Sequence, residues 1–124
     1  MAVIIKSLAR GQLTATTAVD AYTPSVSGRA AIVKSIRLVN TSSSSVTVNA
    51  WLKRTISTGP TTTTTRVLPK DVVLAPGQMF VDDSEITLEY SVVAGVTTQD
   101  FVTLQSTVAN VLDYVLSGVE RDQS

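Results

Sequence analysis

The sequence predicts an all-β protein, a single antiparallel β-sandwich domain that spans residues 1–124. Threonine, serine and valine are abundant, and β-branched residues favour strands over helices. Apolar and polar residues alternate through most of the apolar runs, which is the period of a half-buried strand. Turn-forming residues separate these runs about every 8–12 residues, a spacing that is typical of sandwiches and barrels.

The chain begins with MAVIIKSLARGQL, a short apolar run that Lys6 interrupts. This run is too short and too weakly flanked to be a signal peptide, and no later run approaches the length of a membrane span. We therefore expect a protein that is made in the cytoplasm, with residues 1–12 forming an N-terminal arm.

Two strands are predicted in AAIVKSIRLVN and VTVNAWLKR, joined by the hairpin loop NTSSSS. In the first strand Ile32, Ile36 and Leu38 oppose Arg37, while Lys34 falls on the apolar face as an irregularity. The second strand alternates cleanly. Its apolar face contains Val46, Val48, Ala50 and Leu52, and its polar face contains Thr47, Asn49, Trp51 and Lys53.

The segment STGPTTTTTR follows the second strand and is the one stretch of low complexity. We predict an exposed threonine-rich loop at residues 57–66, or an extension of a sheet edge that keeps a hairpin soluble. An alternative is an arm that becomes ordered on a neighbouring subunit, because threonine backbones readily extend the edge of a sheet.

Three further strands are predicted in EITLEYSVV, DFVTLQSTV and NVLDYVLSGVE, after a type II turn at Pro76-Gly77. The last strand is apolar on both faces, with Leu112, Tyr114 and Leu116 on one side and Val111, Val115 and Val119 on the other. Such a strand is covered on both sides, so we predict self-association, with a trimer as the favoured state. The predicted core consists of Ile36, Leu38, Val46, Val48, Leu52, Ile86, Leu88, Val102 and Leu104.

Composition narrows the function classes. Ten basic and ten acidic residues cancel, so no basic surplus indicates nucleic-acid binding. Histidine and cysteine are both absent, which excludes thiolate or imidazole metal sites, cysteine nucleophiles and the Ser-His-Asp relay. We therefore expect no enzyme activity, no cofactor and no small-molecule substrate.

The segment VDDSEITLE is the best candidate for a metal site, because Asp82, Asp83, Glu85 and Glu89 carry oxygen ligands of the kind that Ca²⁺ uses. It lacks the spaced ligands and the glycine of an EF-hand loop, so a solvated turn that enters a strand is the preferred interpretation. A glycosidase carboxylate pair is disfavoured, because aromatic residues make up only 5% of the chain and could not line a deep cleft. No metal-binding residue is assigned.

Trp51 raises the main functional question, because the only tryptophan lies on the polar face of its strand. Burying its side chain would contribute several kcal/mol at about 25 cal/mol per Å². One interpretation is that the N-terminal segment or the threonine loop covers it within the monomer. Another is that Trp51 contacts a second chain, with Asn49 and Lys53 as a polar rim. A carbohydrate platform is the third; the interface candidates are Trp51, Asn49, Lys53 and Tyr114.

The segments AIVKSIRLVNTSSSSVTVNAWLK, LPKDVVLAPGQMF, EITLE and VLDYVLSGVE, in this order, resemble a group of small β-rich structural proteins of tailed bacteriophages. The resemblance covers residues 30–120, and it rests on the order of the motifs rather than on any one of them. The polythreonine segment does not fit the pattern of the group.

This resemblance implies a jelly-roll-like sandwich that is a repeated, non-enzymatic component of the virion. Capsid decoration is the first expected role, in which the protein stabilises the head by contacts that bridge shell subunits. A tail or head–tail connector component, or a carbohydrate-binding module on the virion, is the alternative. The expected partners are the major capsid protein or other virion proteins, without nucleic acid or membrane.

Overall fold

The computed structural model describes residues 3–58 and 61–122, and these form an all-β protein. The ten strands are β1 (Val3–Gln12), β2 (Val19–Tyr22), β3 (Arg29–Asn40), β4 (Val46–Ile56), β5 (Thr61–Arg66), β6 (Val72–Leu74), β7 (Met79–Asp82), β8 (Ile86–Val93), β9 (Val96–Ser106) and β10 (Leu112–Asp122). Every pairing between them is antiparallel. The predicted all-β antiparallel architecture is confirmed, and the jelly-roll topology stays a prediction.

The strands form one open sheet with the order β1-β10-β3-β8-β9-β4-β5. Three short strands pair beside this path, β2 with β9, β6 with β4 and β7 with β3. Strand β8 pairs with β3 through its first residues and with β9 through its last ones. It thereby joins two halves of the sheet, whose apolar side chains fill one core.

The core contains seven of the nine residues predicted for it. The buried ones are Ile36, Leu38, Val46, Val48, Leu88, Val102 and Leu104. Leu52 and Ile86 are partly buried and pack against this cluster. Period-two alternation therefore located the core-facing side of most strands.

A β-bulge in β3 explains why Lys34 interrupts the apolar pattern. Ser117 of β10 lies opposite Ser35, whereas Gly118 lies opposite Val33, so Lys34 is an extra residue in β3. The extra residue reverses the side-chain alternation. Lys34 is exposed, and its Nζ atom lies 2.5 Å from the Glu85 carboxylate.

The reversal also corrects the expectation for the start of β3. Ala31 and Val33 are buried before the bulge, whereas Ile36 and Leu38 are buried after it. Ile32, which was expected on the apolar face, therefore lies on the opposite side of the strand and is only partly buried.

The N-terminal arm predicted for residues 1–12 is wrong for the described part of that segment. Strand β1 pairs with β10 from Val3, opposite Arg121, to Gln12, opposite Asp113. It is therefore an integral strand at one end of the sheet. Residues 1–2 lie outside the described residues.

For the threonine-rich segment at residues 57–66 the loop interpretation is wrong over most of its length, and the edge extension is the one that the structure shows. Thr61–Arg66 form strand β5, which pairs with β4 in an unbroken register from Ile56, opposite Thr61, to Trp51, opposite Arg66. All residues of β5 are exposed, as expected for that segment. Residues 59–60 lie outside the described residues.

Strand β10 lies between β1 and β3 and is thus an interior strand. Leu112 and Leu116 are buried in the core, and Val115 and Val119 on the other face are partly buried. An interior position gives β10 a hydrogen-bonded neighbour on each edge, but it does not cover the second face, where Val115 and Val119 are only partly buried. The self-association that was inferred from the pattern stays a prediction.

Candidate interaction site around Trp51

Trp51 and Lys53 project from the outer face of β4. Ala50 and Leu52, with which they alternate along the strand, face the core. The register of the sheet places Thr103 of β9 and Arg66 of β5 on either side of Trp51. The same register places Thr64 opposite Lys53.

A shallow groove of about 470 Å³ lies on this face, and we call it the Trp51 groove. Its lining residues are Ala18, Asp20, Trp51, Lys53, Thr64 and Thr103. Strands β4 and β9 form its floor, since Trp51 and Thr103 are direct cross-strand partners. Strand β2 places Asp20 beside Thr103, and β5 supplies Thr64 on the opposite side.

Trp51 is partly buried and is held in place by Arg66 at the end of β5. The Arg66 Cζ atom lies 5.2 Å from the centroid of the Trp51 ring, which is within the range of a cation–π contact. The threonine-rich segment thus covers part of the indole through Arg66. Asp20 of β2 and Ala18, which precedes β2, contribute to the groove wall. The remaining surface of the indole lines the groove.

Lys53 is held by an ion pair across the groove. Its Nζ atom donates to Asp20 Oδ2 at 2.7 Å and lies 4.6 Å from the centroid of the Phe101 ring. The other oxygen of Asp20 accepts a hydrogen bond from Thr103 Oγ1 at 3.0 Å. Because the pair is partly exposed, its contribution to stability is small; it leaves the groove without net charge.

Asn49 was predicted to lie on a polar rim beside Trp51, but it is buried, with 5% of its surface exposed. Its Oδ1 atom accepts hydrogen bonds from Arg66 Nη1 at 2.8 Å and from the Asp71 main-chain N–H at 2.9 Å. Its Nδ2 group donates to Asp71 Oδ1 at 3.1 Å and approaches Gln105 Oε1 at 3.4 Å. Asn49 therefore ties β4 to the end of β5 and to the turn before β6.

Tyr114, the fourth predicted interface residue, does not join this site. It lies on β10, which belongs to the other half of the sheet, and packs against the core cluster while partly buried. The structure thus brings together Trp51 and Lys53 on the groove and Asn49 beneath it. No sequence signal points to Asp20, Arg66, Asp71 and Thr103, because their proximity depends on pairing between distant strands.

The acidic segment at residues 82–89 engages several separate partners. Asp82 Oδ1 accepts from the Ser84 N–H at 2.9 Å, Glu85 pairs with Lys34, and Glu89 lies 3.2 Å from Arg54 Nη2. Within the described parts of the chain, no three His, Cys, Asp or Glu residues are grouped so that they could hold a metal ion.

Two buried carboxylates lie outside the Trp51 groove. Asp100, 2% exposed, accepts two hydrogen bonds from Arg54, from Nε at 2.7 Å and Nη2 at 2.9 Å. This hydrogen bonding, followed by the charge of Asp100, raises the pKa of Arg54 despite partial desolvation. Asp100 also accepts from the Glu89 main-chain N–H at 2.9 Å, so the carboxylate is part of the fold.

The second buried carboxylate, Glu120, anchors the segment after β2. Its Oε1 accepts from the Tyr22 hydroxyl at 2.7 Å and from the Ser25 N–H at 2.6 Å, and Oε2 accepts from Ser25 Oγ at 3.1 Å. Arg29 Nη1 lies 3.7 Å from Oε2. Burial, followed by the hydrogen bond and charge of Glu120, raises the pKa of Tyr22 far above its ordinary value.

Among the residues that the structure describes, none belongs to a helix of the length and hydropathy needed to cross a membrane. Comparisons with protein-family models, with curated proteins and with solved structures give no match for this chain.

Proposed function

We propose that the protein is a non-enzymatic structural component of a bacteriophage particle, a capsid decoration protein that docks through the Trp51 groove. The observation that carries this proposal is a tryptophan that is held in position yet left partly exposed on the outer face of the sheet. The resemblance to small β-rich phage proteins supplies the biological setting.

The physical case for docking rests on how Trp51 is held. Tryptophan is enriched among the residues that dominate binding energy, especially where a polar surround excludes water. Arg66 is itself fixed by Asn49, so the indole needs little ordering when a partner binds. The Lys53–Asp20 pair neutralises the groove, which suits an apolar or neutral partner surface better than a charged one.

A decoration protein needs shape and many contacts rather than chemistry. It stabilises a shell by adding contact area across the joints between subunits, and an interface of about 1,200–2,000 Å² is enough for specific binding. The symmetry of a capsid multiplies that contribution. On the particle, a trimer placed on a local three-fold axis is the assembly we favour for this role.

The stoichiometry of binding to purified particles tests the location. Hundreds of copies for each particle support decoration of the head. A dozen copies or fewer would instead support a tail or connector component, and no co-sedimentation would contradict a virion role.

The variant Trp51→Ala tests the docking surface. We expect its affinity for particles to fall by about 30-fold or more, equivalent to about 2 kcal/mol, with little change in the unfolding midpoint. Val93→Ala is the matched control, because Val93 is a 69%-exposed apolar residue at the β8–β9 turn, away from the groove. Unchanged particle binding, or a loss of stability of about 3–5 kcal/mol as in core truncations, would contradict the proposal.

A carbohydrate ligand is the second candidate, and the composition of the groove favours it. An aromatic ring lies beside a carboxylate, an ammonium group and the hydroxyls of Thr64 and Thr103, which are groups that can stack on a sugar and bind its hydroxyls. A glycan array, followed by titration of Trp51 fluorescence with each glycan that binds, tests this. Saturable binding that Trp51→Ala abolishes would favour a carbohydrate over a capsid partner.

A further inference from the structure

Strand β5 presents an accessible edge of the sheet. It is the last strand of the sheet order, and among the described strands it pairs with β4 alone. All its side chains are exposed, and its pairing with β4 runs without a register shift. In an edge strand, about half of the main-chain N–H and C=O groups point away from the single neighbour. Those groups match only another extended chain.

Natural sheets usually protect such edges with charges, proline or bulges. Strand β1, at the opposite end of the sheet, has a register shift between Ser7 and Ala9 and carries Lys6 and Arg10 in its sequence. Strand β5 has none of these features in Thr61–Thr65, and its one charge, Arg66, is turned toward Trp51 and Asn49. The edge of β5 from Thr62 to Thr65 is therefore open to pairing.

We propose that β5 pairs antiparallel with β5 of a second copy of this chain, so that the two sheets join across a two-fold axis. The sequence of β5 favours this occupant over a different strand, because a run of identical residues is complementary to itself. Threonine opposite threonine is a favourable cross-strand pair. A two-fold axis also satisfies the closed symmetry that most homodimers have.

The charges of β5 are compatible with this pairing. The axis is perpendicular to the sheet, so residues on one face meet residues of the same face. An axis through Thr64 places Thr64 opposite its own copy, Thr63 opposite Thr65, and Arg66 opposite Thr62. The two Arg66 residues are then four positions apart along the seam, about 14 Å at about 3.4 Å for each residue, so the two like charges are not paired.

The size of the contact sets the expected strength. A strand of six residues is about 20 Å long, so main-chain pairing alone covers less than the roughly 1,200 Å² of a standard interface. We therefore expect a dimer that forms at hundreds of micromolar chain and dissociates on dilution.

Disulfide trapping tests the register directly, because the chain contains no cysteine. Residues directly opposite across an antiparallel pair have Cα atoms about 4.5–5.5 Å apart, within the range that a disulfide spans. Thr64→Cys should form a covalent dimer rapidly under mild oxidation if the axis passes through Thr64, and Thr63→Cys should do so if it passes through Thr63. Thr14→Cys, in an exposed loop, measures the rate of random collision. If neither β5 variant is faster than Thr14→Cys, the pairing is wrong.

A charge variant provides the second readout. In Thr64→Glu the new carboxylate lies opposite Lys53 within the monomer, which is compatible with the fold, but two carboxylates face each other across the axis. Sedimentation should then show the monomer at concentrations where the unaltered chain and Thr14→Glu form dimers. A dimer or trimer that persists in Thr64→Glu would overturn the β5 contact. Docking through the Trp51 groove, which Thr64 also lines, is tested separately by Trp51→Ala.

Discussion

The two end strands of the sheet, β1 and β5, differ in how their outer edges are protected from pairing with another strand. Each pairs with a single neighbour, β1 with β10 and β5 with β4. Strand β1 is distorted by a register shift and carries two basic residues in its sequence. Strand β5 is regular and consists of five threonines and one arginine.

The difference shows that solubility and protection of an edge are separate properties. Threonine hydroxyls keep β5 compatible with water, yet they do not hinder another strand from pairing with its backbone. A bulge does hinder pairing, because it breaks the repeat of donors and acceptors that a partner must match. The regular edge is also the one next to the Trp51 groove. Thr64 of β5 lines the groove, and Arg66 of β5 contacts the Trp51 ring.

The largest expected effect is on the β1 side, from Gly118→Ala. Gly118 lies in β10 between Lys6 of β1 and Val33 of β3. A Cβ atom there would lie 2.0 Å from the Ile32 carbonyl oxygen and 3.1 Å from Leu8 Cδ1. The backbone must move to relieve this overlap, so we expect a loss of about 3 kcal/mol or more in chemical denaturation.

Gly11→Ala is the control for this change, because Gly11 lies on β1 itself. Its added Cβ would meet only the Tyr114 side chain, with the hydroxyl oxygen at 3.3 Å. We expect a loss below about 1 kcal/mol, since a side chain can shift where a carbonyl in the sheet cannot. Equal losses in the two variants would show that the bulge next to Gly118 does not constrain this half of the sheet.

On the β5 side, Asn49→Ala is expected to lower stability by about 2 kcal/mol. The change removes the acceptor that the Asp71 N–H and the Arg66 guanidinium share, the Oδ1 atom of the buried Asn49 side chain. Gln105→Ala is the control, because its contact with Asn49 is long, at 3.4 Å. Urea denaturation of both variants measures the difference; a loss with Asn49→Ala no larger than with Gln105→Ala would mean that β5 is not anchored through Asn49.

The smallest effect at neutral pH, about 1 kcal/mol, is expected from Tyr22→Phe, which removes one hydrogen bond to Glu120. Its pH dependence is more informative. Below the ordinary tyrosine pKa of 10.0 both the folded and the unfolded chain keep the proton. Above it the unfolded chain releases the proton and folded Tyr22, with its raised pKa, retains it, so the unfolded state binds fewer protons.

Stability must therefore fall as pH rises above 10, by about 1.4 kcal/mol for each pH unit from this group. Melting curves between pH 8 and pH 11 should show a shallower decline for Tyr22→Phe than for the unaltered chain. Parallel declines would mean that Tyr22 is not held protonated by its site. This dependence arises where Tyr22 of β2, a strand that pairs with β9, meets Glu120 of β10.

The sequence predicted the fold class and most of the core because both depend on local alternation. Lys34 stood out as an irregularity in the apolar pattern. One strand alone does not show whether such a charged residue marks a β-bulge or simply faces the core. The bulge is visible only in the pairing with β10, where the register shifts between Ser117 and Gly118. The sequence left β5 open between a loop and an edge extension for a related reason: five identical polar residues have no alternation, although threonine favours strands.

The candidate site was predicted in part. The parity of VTVNAWLKR correctly placed Trp51 and Lys53 away from the core, but parity does not show what covers a face. The turn at Asp71, where φ is 56°, returns over Asn49 and buries it. Tyr114 lies on β10 and packs against the core cluster away from the groove, which the pattern of its own strand could not show.

Hydrogen exchange at two protein concentrations tests the contrast between β1 and β5 most directly. Amide protection is measured strand by strand in dilute solution and again at hundreds of micromolar chain. We expect protection within Thr62–Thr65 to rise with concentration and to be lost in Thr64→Glu, whereas protection in β1 does not change. Protection in β5 that is independent of concentration, or a concentration-dependent rise in β1 instead, would contradict this expectation.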